Sequence, residues 1–255
     1  MTITEIMKFS IITPNYNGAN YLEGCIKSVL SQNVDFEHII VDAESTDSSL
    51  DILKTYPHLK VISEQDNGMY DAINKGIAIS QGDFISYLNS DDRYPDGALS
   101  EVLNIFNNDI SVDYVYGDCR LINHLEKELY VYRVPPIFVK LLNKITVIPW
   151  AQPSTFYRKR VFKELGCFNI QYSLAADYHF IKRILLSKFN GHKVNKVLSH
   201  FMKRDEALSS KYSFEMHSEV MQIKNDLGIV NRPVLDFFFN SYRKIYNFHT
   251  FFKRN

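Results

Sequence analysis

The chain passes, at Phe84-Ile85-Ser86-Tyr87-Leu88, from an apolar run directly into the polar turn Asn89-Ser90-Asp91-Asp92. A short apolar run that stops at polar residues is typical of a buried strand. The adjacent carboxylates at its end repel one another, so a positive group is expected beside them, and a divalent cation that also binds phosphate oxygens is one such group. A solvated turn leading into Arg93 would explain the same residues without a metal.

Short β-rich runs alternate with helical patterns on the N-terminal side of this strand. The alternation predicts an α/β fold with a mostly parallel central sheet flanked by helices. Ligands of such sheets bind at the carboxyl ends of the strands, where the polar residues of this chain stand. The predicted strands are 9–13, 38–41, 60–62 and 84–88, and the predicted helices are 21–30, 46–56 and 69–79.

The second half of the chain is less regular. Pro135-Pro136 opens an irregular stretch that continues to Pro149. No internal repeat or Pro/Gly-rich linker divides the chain, which favours one domain followed by a helical tail. The further predicted strands are 114–118, 130–134 and 193–202, and the further predicted helices are 161–165 and 178–186.

Composition and charge argue against several classes of protein. Lys plus Arg and Asp plus Glu both number 29, so the formal net charge is zero and no basic surplus indicates a nucleic-acid partner. The three cysteines form no CxxC pair, which favours reduced thiols over a zinc site. Because neither a signal peptide nor a run of about 20 apolar residues occurs, we expect a cytoplasmic protein that reaches a membrane only at its inner face.

Two further polar clusters follow predicted strands. In Val41-Asp42-Ala43-Glu44-Ser45-Thr46-Asp47, Asp42 could accept a hydrogen bond from a base or a ribose hydroxyl, whereas a helix cap explains the last three residues. In the cluster from Asp66 to Gly76, Lys75 could offset phosphate charge or be a surface lysine at a helix entry. No GxGxxG follows the first strand and no GxxxxGKS/T occurs, which argues against dinucleotide-dependent dehydrogenases and P-loop nucleotide hydrolases.

Four motifs in order resemble the successive nucleotide-sugar motifs of glycosyltransferase family 2. The resemblance is close over residues 7–95, thinner to about residue 205 and absent beyond it. It implies a GT-A catalytic domain over 1–205, with a Rossmann-like nucleotide-sugar half over about 7–118 and an acceptor half over about 119–205, followed by a helical tail over 206–255. The motifs are Thr13-Pro14-Asn15-Tyr16-Asn17, Val41 to Asp47, Asp66 to Gly76, and Tyr87-Leu88-Asn89-Ser90-Asp91-Asp92.

The resemblance also implies roles for individual residues. The first acid of the family's metal-binding motif is often Asp, and Asn89 stands in its place here, so the metal contact falls to Asp91 or Asp92. The expected ion is Mn²⁺ or Mg²⁺, and the expected donor is a UDP-sugar. The residues implied to bind the nucleotide sugar are Pro14, Tyr16, Asn17, Asp42, Asp66, Asn74, Lys75, Asn89, Ser90 and Asp91.

The catalytic base is implied in the segment Ala175-Ala176-Asp177-Tyr178-His179-Phe180. The family usually has a Glu-Asp pair before a helix; Ala176 replaces the Glu, and Asp177 remains as the general base of an inverting transfer. An acid at this place is also favoured by the helix dipole alone, which is the structural alternative for Asp177.

Aromatic and basic residues concentrate between Val234 and Phe252. A helix of this composition could lie in a membrane interface, which suits a lipid-linked saccharide acceptor. The same apolar face could instead pack on the catalytic domain or on a second subunit of a homo-oligomer. The sequence leaves these alternatives open.

Together the motifs predict an inverting glycosyltransferase of bacterial-type polysaccharide, O-antigen or capsule biosynthesis, with a saccharide or lipid-linked saccharide as acceptor. A nucleotidyltransferase is one alternative, although a Gly-rich basic phosphate loop is expected there after the first strand, where this chain has Pro14-Asn15-Tyr16-Asn17-Gly18. A non-catalytic nucleotide-sugar-binding module, in which Asp177 takes no part in chemistry, is the other.

Overall fold

The computed structural model describes residues 7–135, 148, 150–204, 212–230 and 232–252. The irregular stretch predicted up to Pro149 lies largely outside these ranges. Within them, the chain forms one mixed sheet with helices packed on both of its faces.

Eight strands of the described residues make up the sheet. They are β1 (Phe9–Asn15), β2 (Phe36–Asp42), β3 (Leu59–Ser63), β4 (Phe84–Tyr87), β5 (Tyr114–Ile122), β6 (Glu128–Tyr132), β7 (Thr155–Arg158) and β8 (Gly191–Met202). The strands β3, β2, β1 and β4 lie side by side and parallel. The short β7 then pairs antiparallel with both β4 and β5, so β5 runs in the same direction as β4. Finally, β8 is parallel to β5, whereas β6 is antiparallel to its second half.

The topology brings the carboxyl ends of β1, β2, β3, β4, β5 and β8 to one edge of the sheet, because these six strands share a direction. The prediction of a mostly parallel sheet flanked by helices is therefore confirmed. The antiparallel β7 was not among the strands predicted from apolar runs, although the resemblance implies a strand over Ala151–Thr155, and it separates the N-terminal parallel strands from the second half of the sheet.

Helices cover the sheet in two layers. In chain order they are α1 (Ala19–Leu30), α2 (Ser49–Lys54), α3 (Met69–Ile79), α4 (Ala98–Asn108), α5 (Lys159–Leu165), α6 (Ala176–Leu186), α7 (Ser213–Asp226) and α8 (Pro233–Phe252). Apolar side chains of α1, α2 and α4 pack on one face, with Ile11 of β1. Those of α3, α5, α6, α7 and α8 pack on the other, with Ile12. Successive residues of β1 thus point to opposite layers, as a buried central strand requires.

Pro14 lies within β1, which extends two residues beyond the end that the sequence predicts for this strand. The carbonyl of Ile12 accepts from the N–H of Leu88 on the β4 side, and that of Asn15 accepts from Ala43 on the β2 side. Because backbone groups alternate between the two sides, the nitrogen of Pro14 faces the β4 side, where the pairing has already ended at Ile12. The proline therefore removes no hydrogen bond from the sheet.

The tail helix α8 packs through one face against β6 and the core beneath it. Phe239 is buried in the core, Arg243 donates to the hydroxyl of Tyr132 at 3.1 Å, and Asn247 accepts from the N–H of Arg133 at 2.7 Å. Another stripe of the helix remains exposed, formed by Val234, Phe237, Phe238, Tyr242 and Ile245. Packing on the domain, one of the three alternatives, thus accounts for part of the apolar surface. Within the described ranges, no helix combines the length and the hydropathy needed to cross a membrane.

The loop after α5 is tied to α3 through Asn74. The Nδ2 of Asn74 donates to the carbonyl of Phe168 at 2.8 Å, and its Oδ1 accepts from the N–H of Phe168 at 3.0 Å. The Phe168 ring lies 5.6, 5.5 and 4.8 Å from the ring centroids of Tyr70, Tyr87 and Phe180. The amide thus holds the ring that joins α3 and β4 to α6.

Replacing Asn74 with Ala is expected to lower the free energy of unfolding by about 1–3 kcal/mol, because both backbone groups of Phe168 lose a partner in a buried place. Chemical denaturation measures this. Asn108→Ala is the matched control, since the exposed Asn108 bonds only to Asn104 through its amide nitrogen on the surface of α4. Equal losses for the two variants would contradict a structural role for Asn74.

Candidate active site

Buried oxygens without hydrogen-bond donors gather where β1 and β4 end. In the part of the chain that the structure describes, the buried amide and carboxylate oxygens lacking a donor are Asn15 Oδ1, Asn89 Oδ1 and Asp92 Oδ2. Asn15 ends β1, and the other two residues belong to the turn after the neighbouring β4. A buried acceptor is costly unless a donor or a cation meets it, so this edge of the sheet is the candidate ligand site.

The acidic turn lies against the loop between β1 and α1. A Cβ added at Gly18 would come within 2.3 Å of Asn15 Oδ1 and 2.9 Å of Ser90 Oγ. Any residue larger than glycine would displace these two side chains, so Gly18 permits the close approach. The structure therefore brings Ser90, from the fourth motif, next to the first motif.

The end of β8 holds the acidic turn in place. Arg93 and His200 exchange two backbone hydrogen bonds of 3.0 and 2.7 Å, and the N–H of Met202 donates to Asp92 Oδ1 at 3.0 Å. Asp92 is fully buried. Burial, reinforced by the charge of Asp91, raises the pKa of Asp92 well above its usual range. A cation beside the unpartnered Oδ2 would reverse this by stabilising the ionised form.

Arg204, directly after β8, contacts the same turn. Its Nη2 forms an ion pair with Asp91 Oδ2, and its guanidinium carbon lies 4.9 Å from the ring centroid of Tyr21. The sequence assigned no role to Arg204, because only tertiary structure brings this position to the turn. The one sequence feature that could have indicated a role for Arg204 is its place as a basic residue shortly after a core strand.

The acidic turn fits an open metal site. Across the described ranges, no three His, Cys, Asp or Glu side chains form a closed ligand group. Mg²⁺, however, usually takes one or two carboxylates and completes its shell with phosphate and water, and Mn²⁺ favours the same oxygen ligands. The unpartnered Oδ2 of Asp92, together with Asp91 once its pair with Arg204 opens, suits such a cation.

Asp42 is the centre of a fully bonded group at the end of β2. Its Oδ1 accepts from Asn15 Nδ2 at 2.7 Å and from Ser45 Oγ at 2.6 Å, and its Oδ2 accepts from the N–H of Ser45 at 2.9 Å and from Ser63 Oγ at 3.2 Å. The carboxylate is fully buried. Asp42 therefore joins β1, β2 and β3, and a nucleotide could bond to it only by replacing one of these donors. The predicted nucleotide contact stays a prediction.

Asn17 joins the loop after β1 to the loop after β2. Its backbone has a φ of 50°, in the left-handed region that asparagine tolerates. Its Oδ1 accepts from the N–H of Thr46 at 2.8 Å and from that of Asp47 at 3.3 Å. Asp47 accepts from the N–H of Ser49, so α2 begins at Ser49 and not at Thr46 as predicted.

The other predicted nucleotide residues of the first motif differ in exposure. Pro14 is buried within β1, whereas the Tyr16 side chain is 67% exposed beside it. An exposed aromatic ring at the carboxyl edge of the sheet is available to stack on a base. Neither contact is tested by the structure.

Asp66 lies in the loop that enters α3, and the side chain of Lys75 reaches back from the middle of the helix to the same loop. Asp66 accepts from the N–H of Gly68, whose φ of 106° favours glycine. Lys75 Nζ donates to the carbonyl of Gln65 at 2.6 Å and pairs with Glu64 at 2.8 Å. Both side chains thus stabilise this turn, and their contact with a nucleotide or a diphosphate remains a prediction, as does that of Asn74.

Asp177 lies in the first turn of α6 and meets the third motif. The N–H of Tyr178 donates to its Oδ1 at 2.7 Å, and the buried Tyr70 faces the same carboxylate. Burial raises the pKa of Asp177, and the hydrogen bond from Tyr178 and the nearness of Tyr70 oppose the rise. Tyr70 belongs to α3, so the structure joins the implied base to the segment from Asp66 to Gly76.

Two curated relatives are similar to the chain over most of its length. The PGL/p-HBAD biosynthesis glycosyltransferase of Mycobacterium bovis is 31% identical over 179 residues, which cover 68% of this chain and 67% of the relative. The minor teichoic acid biosynthesis protein GgaA of Bacillus subtilis is 30% identical over 219 residues, which cover 78% of this chain and 48% of the relative.

Two solved structures share the fold. TarS 1–349 from S. aureus in complex with UDP-GlcNAc is 20% identical with a TM-score of 0.67, and the match covers 85% of this chain and 65% of that one. The mannosyltransferase PcManGT from Pyrobaculum calidifontis, in complex with GDP-Man and Mn²⁺, is 17% identical with a TM-score of 0.63, covering 82% and 60%. The chain therefore spans less than two thirds of both proteins. At these identities the likeness shows the fold.

The family model described as "Glycosyl transferase family 2" matches residues 10–171, which is well over half of the chain. The match contains all four motifs and extends through β7 and α5. With the two solved structures, it confirms the predicted GT-A fold and the predicted enzyme class. The chain belongs to glycosyltransferase family 2.

Proposed function

We propose that the protein transfers a sugar, with inversion, from a nucleotide-sugar donor to a saccharide or lipid-linked saccharide acceptor in the assembly of a bacterial-type surface polymer. The closeness of Tyr70 to Asp177 carries this proposal, because it brings a residue of the third motif against the implied base. The names of the relatives, which concern PGL/p-HBAD and minor teichoic acid biosynthesis, support the assembly of a surface polymer.

Asp177 acts as the general base in this proposal. It accepts the proton of an acceptor hydroxyl while that oxygen attacks the anomeric carbon from the face opposite the nucleotide. The bond from the anomeric carbon to the phosphate oxygen breaks in the same step, so the diphosphate leaves and the configuration inverts. Lys75 and Arg204, at two sides of the strand ends, would stabilise the growing negative charge of the leaving group after exchanging their present carboxylate partners.

A UDP-sugar is the donor that we favour, and the UDP-GlcNAc complex of TarS supports it. The GDP-Man complex of PcManGT shows that a different base occurs on the same fold. Asp91 and Asp92 would hold Mn²⁺ or Mg²⁺ against the donor diphosphate. Such an ion supplies Lewis-acid neutralisation of phosphate charge.

The exposed stripe of α8 is proposed to touch the surface of a membrane. Phe237 and Phe238 are 67% and 64% exposed, and the exposed Lys244 lies on the same helix. Exposed aromatic rings beside a basic residue suit the headgroup region of an anionic bilayer, where a lipid-linked acceptor would be found. This arrangement supports a peripheral location on the cytoplasmic side.

A screen of UDP-, GDP- and dTDP-sugars for thermal stabilisation, with and without Mn²⁺, tests the donor. A true donor at 100 times its Kd is expected to stabilise the protein by about 2.7 kcal/mol, because only the folded state binds it. Asp91→Asn is expected to lose the part of this gain that depends on Mn²⁺, whereas Asp96→Asn, an exposed residue five positions later, is expected to keep it. Failure of every nucleotide sugar to stabilise the wild type would refute the proposed function.

Replacing Asp177 with Asn is expected to lower kcat by about 10²- to 10⁴-fold while donor affinity stays near that of the wild type. In the wild type, kcat/KM is expected to rise with pH through a pKa above the usual range of Asp, because the base must be ionised. Asp51→Asn is the control, since Asp51 is also an acid in the first turn of a helix. Near-wild-type turnover of Asp177→Asn would leave the helix dipole as the explanation of this residue.

Substituting both Phe237 and Phe238 with Ser is expected to abolish co-sedimentation with phosphatidylglycerol vesicles. A double substitution of the exposed Ile110 and Leu125 with Ser removes a similar amount of apolar surface elsewhere and is expected to have no effect. Equal sedimentation of all three proteins would count against membrane contact. Loss of a dimer in the Phe237/Phe238 variant, measured by analytical ultracentrifugation, would assign the stripe to a second subunit instead.

A further inference from the structure

The segment that enters α6 has no side chain of its own to hold its backbone N–H groups. Ala175 occupies the N-cap position and makes no side-chain cap. The side chains of its neighbours Leu174 and Ala176 also contain no polar atom. N-cap positions usually bear Ser, Thr, Asp or Asn, whose side chains bond such groups. An acceptor must therefore come from elsewhere in the fold.

Glu219 of α7 supplies that acceptor. Its Oε1 accepts from the N–H of Ser173 at 3.0 Å and from Ser173 Oγ at 2.9 Å. Its Oε2 accepts from the N–H of Leu174 at 2.9 Å and from that of Ala175 at 2.9 Å. Three successive N–H groups that converge on one carboxylate form charge-assisted hydrogen bonds, which are stronger than those between neutral groups.

The helix that carries Glu219 is itself fixed against the same region. Ile223 of α7 is fully buried in the core. Asp226, two helical turns after Glu219, accepts a hydrogen bond from the hydroxyl of Tyr172. One face of α7 therefore holds residues 172–175 at two points, directly before Asp177.

We propose that Glu219 is a positioning residue of the transfer reaction, which fixes the segment 173–175 and thereby aims Asp177 at the acceptor hydroxyl. The inference rests on the proposed role of Asp177 as the base. It makes α7, which lies beyond the region matched by the family model, a working part of the active site.

Glu219 acts on Asp177 through its charge as well as through the geometry of the segment 173–175. Burial raises the pKa of Asp177, and the negative charge of Glu219 adds to the rise. In the part of the chain that the structure describes, three buried tyrosines also face Asp177, namely Tyr70 of α3, Tyr87 of β4 and Tyr157 of β7. Because burial raises the pKa of each, these tyrosines are neutral at physiological pH. Removal of the charge of Glu219 is therefore expected to lower the pKa of Asp177.

Hydrogen exchange of the wild type and of Glu219→Gln tests the structural half of the proposal without any ligand. The amides of Ser173, Leu174 and Ala175 are expected to exchange about tenfold faster in the variant, since they lose charge-assisted bonds. Glu215→Gln is the matched control: Glu215 is exposed, lies one turn earlier on α7 and lines the same cleft of about 520 Å³ as Glu219. It is expected to leave the exchange unchanged.

Hydrolysis of the stabilising nucleotide sugar, with UDP-GlcNAc as the first probe and water as acceptor, tests the catalytic half. Glu219→Gln is expected to lower kcat about 10- to 100-fold with the donor KM unchanged, because misplacement by a fraction of an ångström suffices for such a loss. It should also move the acid limb of the pH profile to lower pH, since the pKa of Asp177 falls when the nearby charge is removed. Glu219→Asp, which keeps the charge on a shorter side chain, should restore the limb and only part of kcat.

Unchanged exchange together with unchanged kcat in Glu219→Gln would overturn the proposal. An equal fall of kcat in the Glu219 and Glu215 variants would also overturn it, by assigning the effect to the shared cleft. Failure of the proposed function has a different signature, because an active Asp177→Asn variant would refute the base while the exchange difference at residues 173–175 persisted.

Discussion

The structure depends on one constraint: each buried acceptor oxygen must find a hydrogen-bond donor or a cation, because water cannot reach it. At the carboxyl edge of the sheet the requirement is met in two ways. The carboxylate of Asp42 has four donors and holds three strands together. That of Asp92 has one donor and leaves Oδ2 without a partner, beside the equally unpartnered Asn89. The first arrangement is complete within the chain, and the second leaves acceptor oxygens that a donor or a cation could meet.

The parallel sheet creates this contrast by bringing loops that are distant in the sequence to one edge. A loop at that edge is stabilised by its neighbours more than by its own residues: Asn17 bonds the loop after β2, and β8 holds the turn after β4. The turn at Asp91 is also where opposite charges meet, since Arg204 forms an ion pair with Asp91. In the proposed function, a diphosphate with its cation would exchange this pair for new ones, so electrostatics would drive donor binding.

The sequence predicted what is local and missed what is tertiary. The apolar runs of β1, β2 and β4 and the bounds of α3 follow from periodicity and turn residues, and the four ordered motifs lie in the region that the family model matches. The antiparallel β7, only four residues long, offers too little pattern to be recognised. The bonds of Asn74 to Phe168 and of Glu219 to residues 173–175 join positions far apart in the chain. Residue spacing in a single sequence does not reveal such partners. Asn74 was therefore predicted to contact the nucleotide, whereas the structure shows that it stabilises the fold.

The family model ends at residue 171, before Asp177, α7 and α8, and this boundary separates two kinds of constraint. In the proposed function, the matched region holds the nucleotide and diphosphate of the donor. The implied base and the appended helices lie beyond it, on the side of the acceptor. In this chain the appended α7 bonds the segment before Asp177, and α8 packs on β6 while presenting aromatic residues outward. If α7 fixes the base as proposed, a tail that also carries an exposed apolar stripe would couple the catalytic centre to the surface that brings the acceptor.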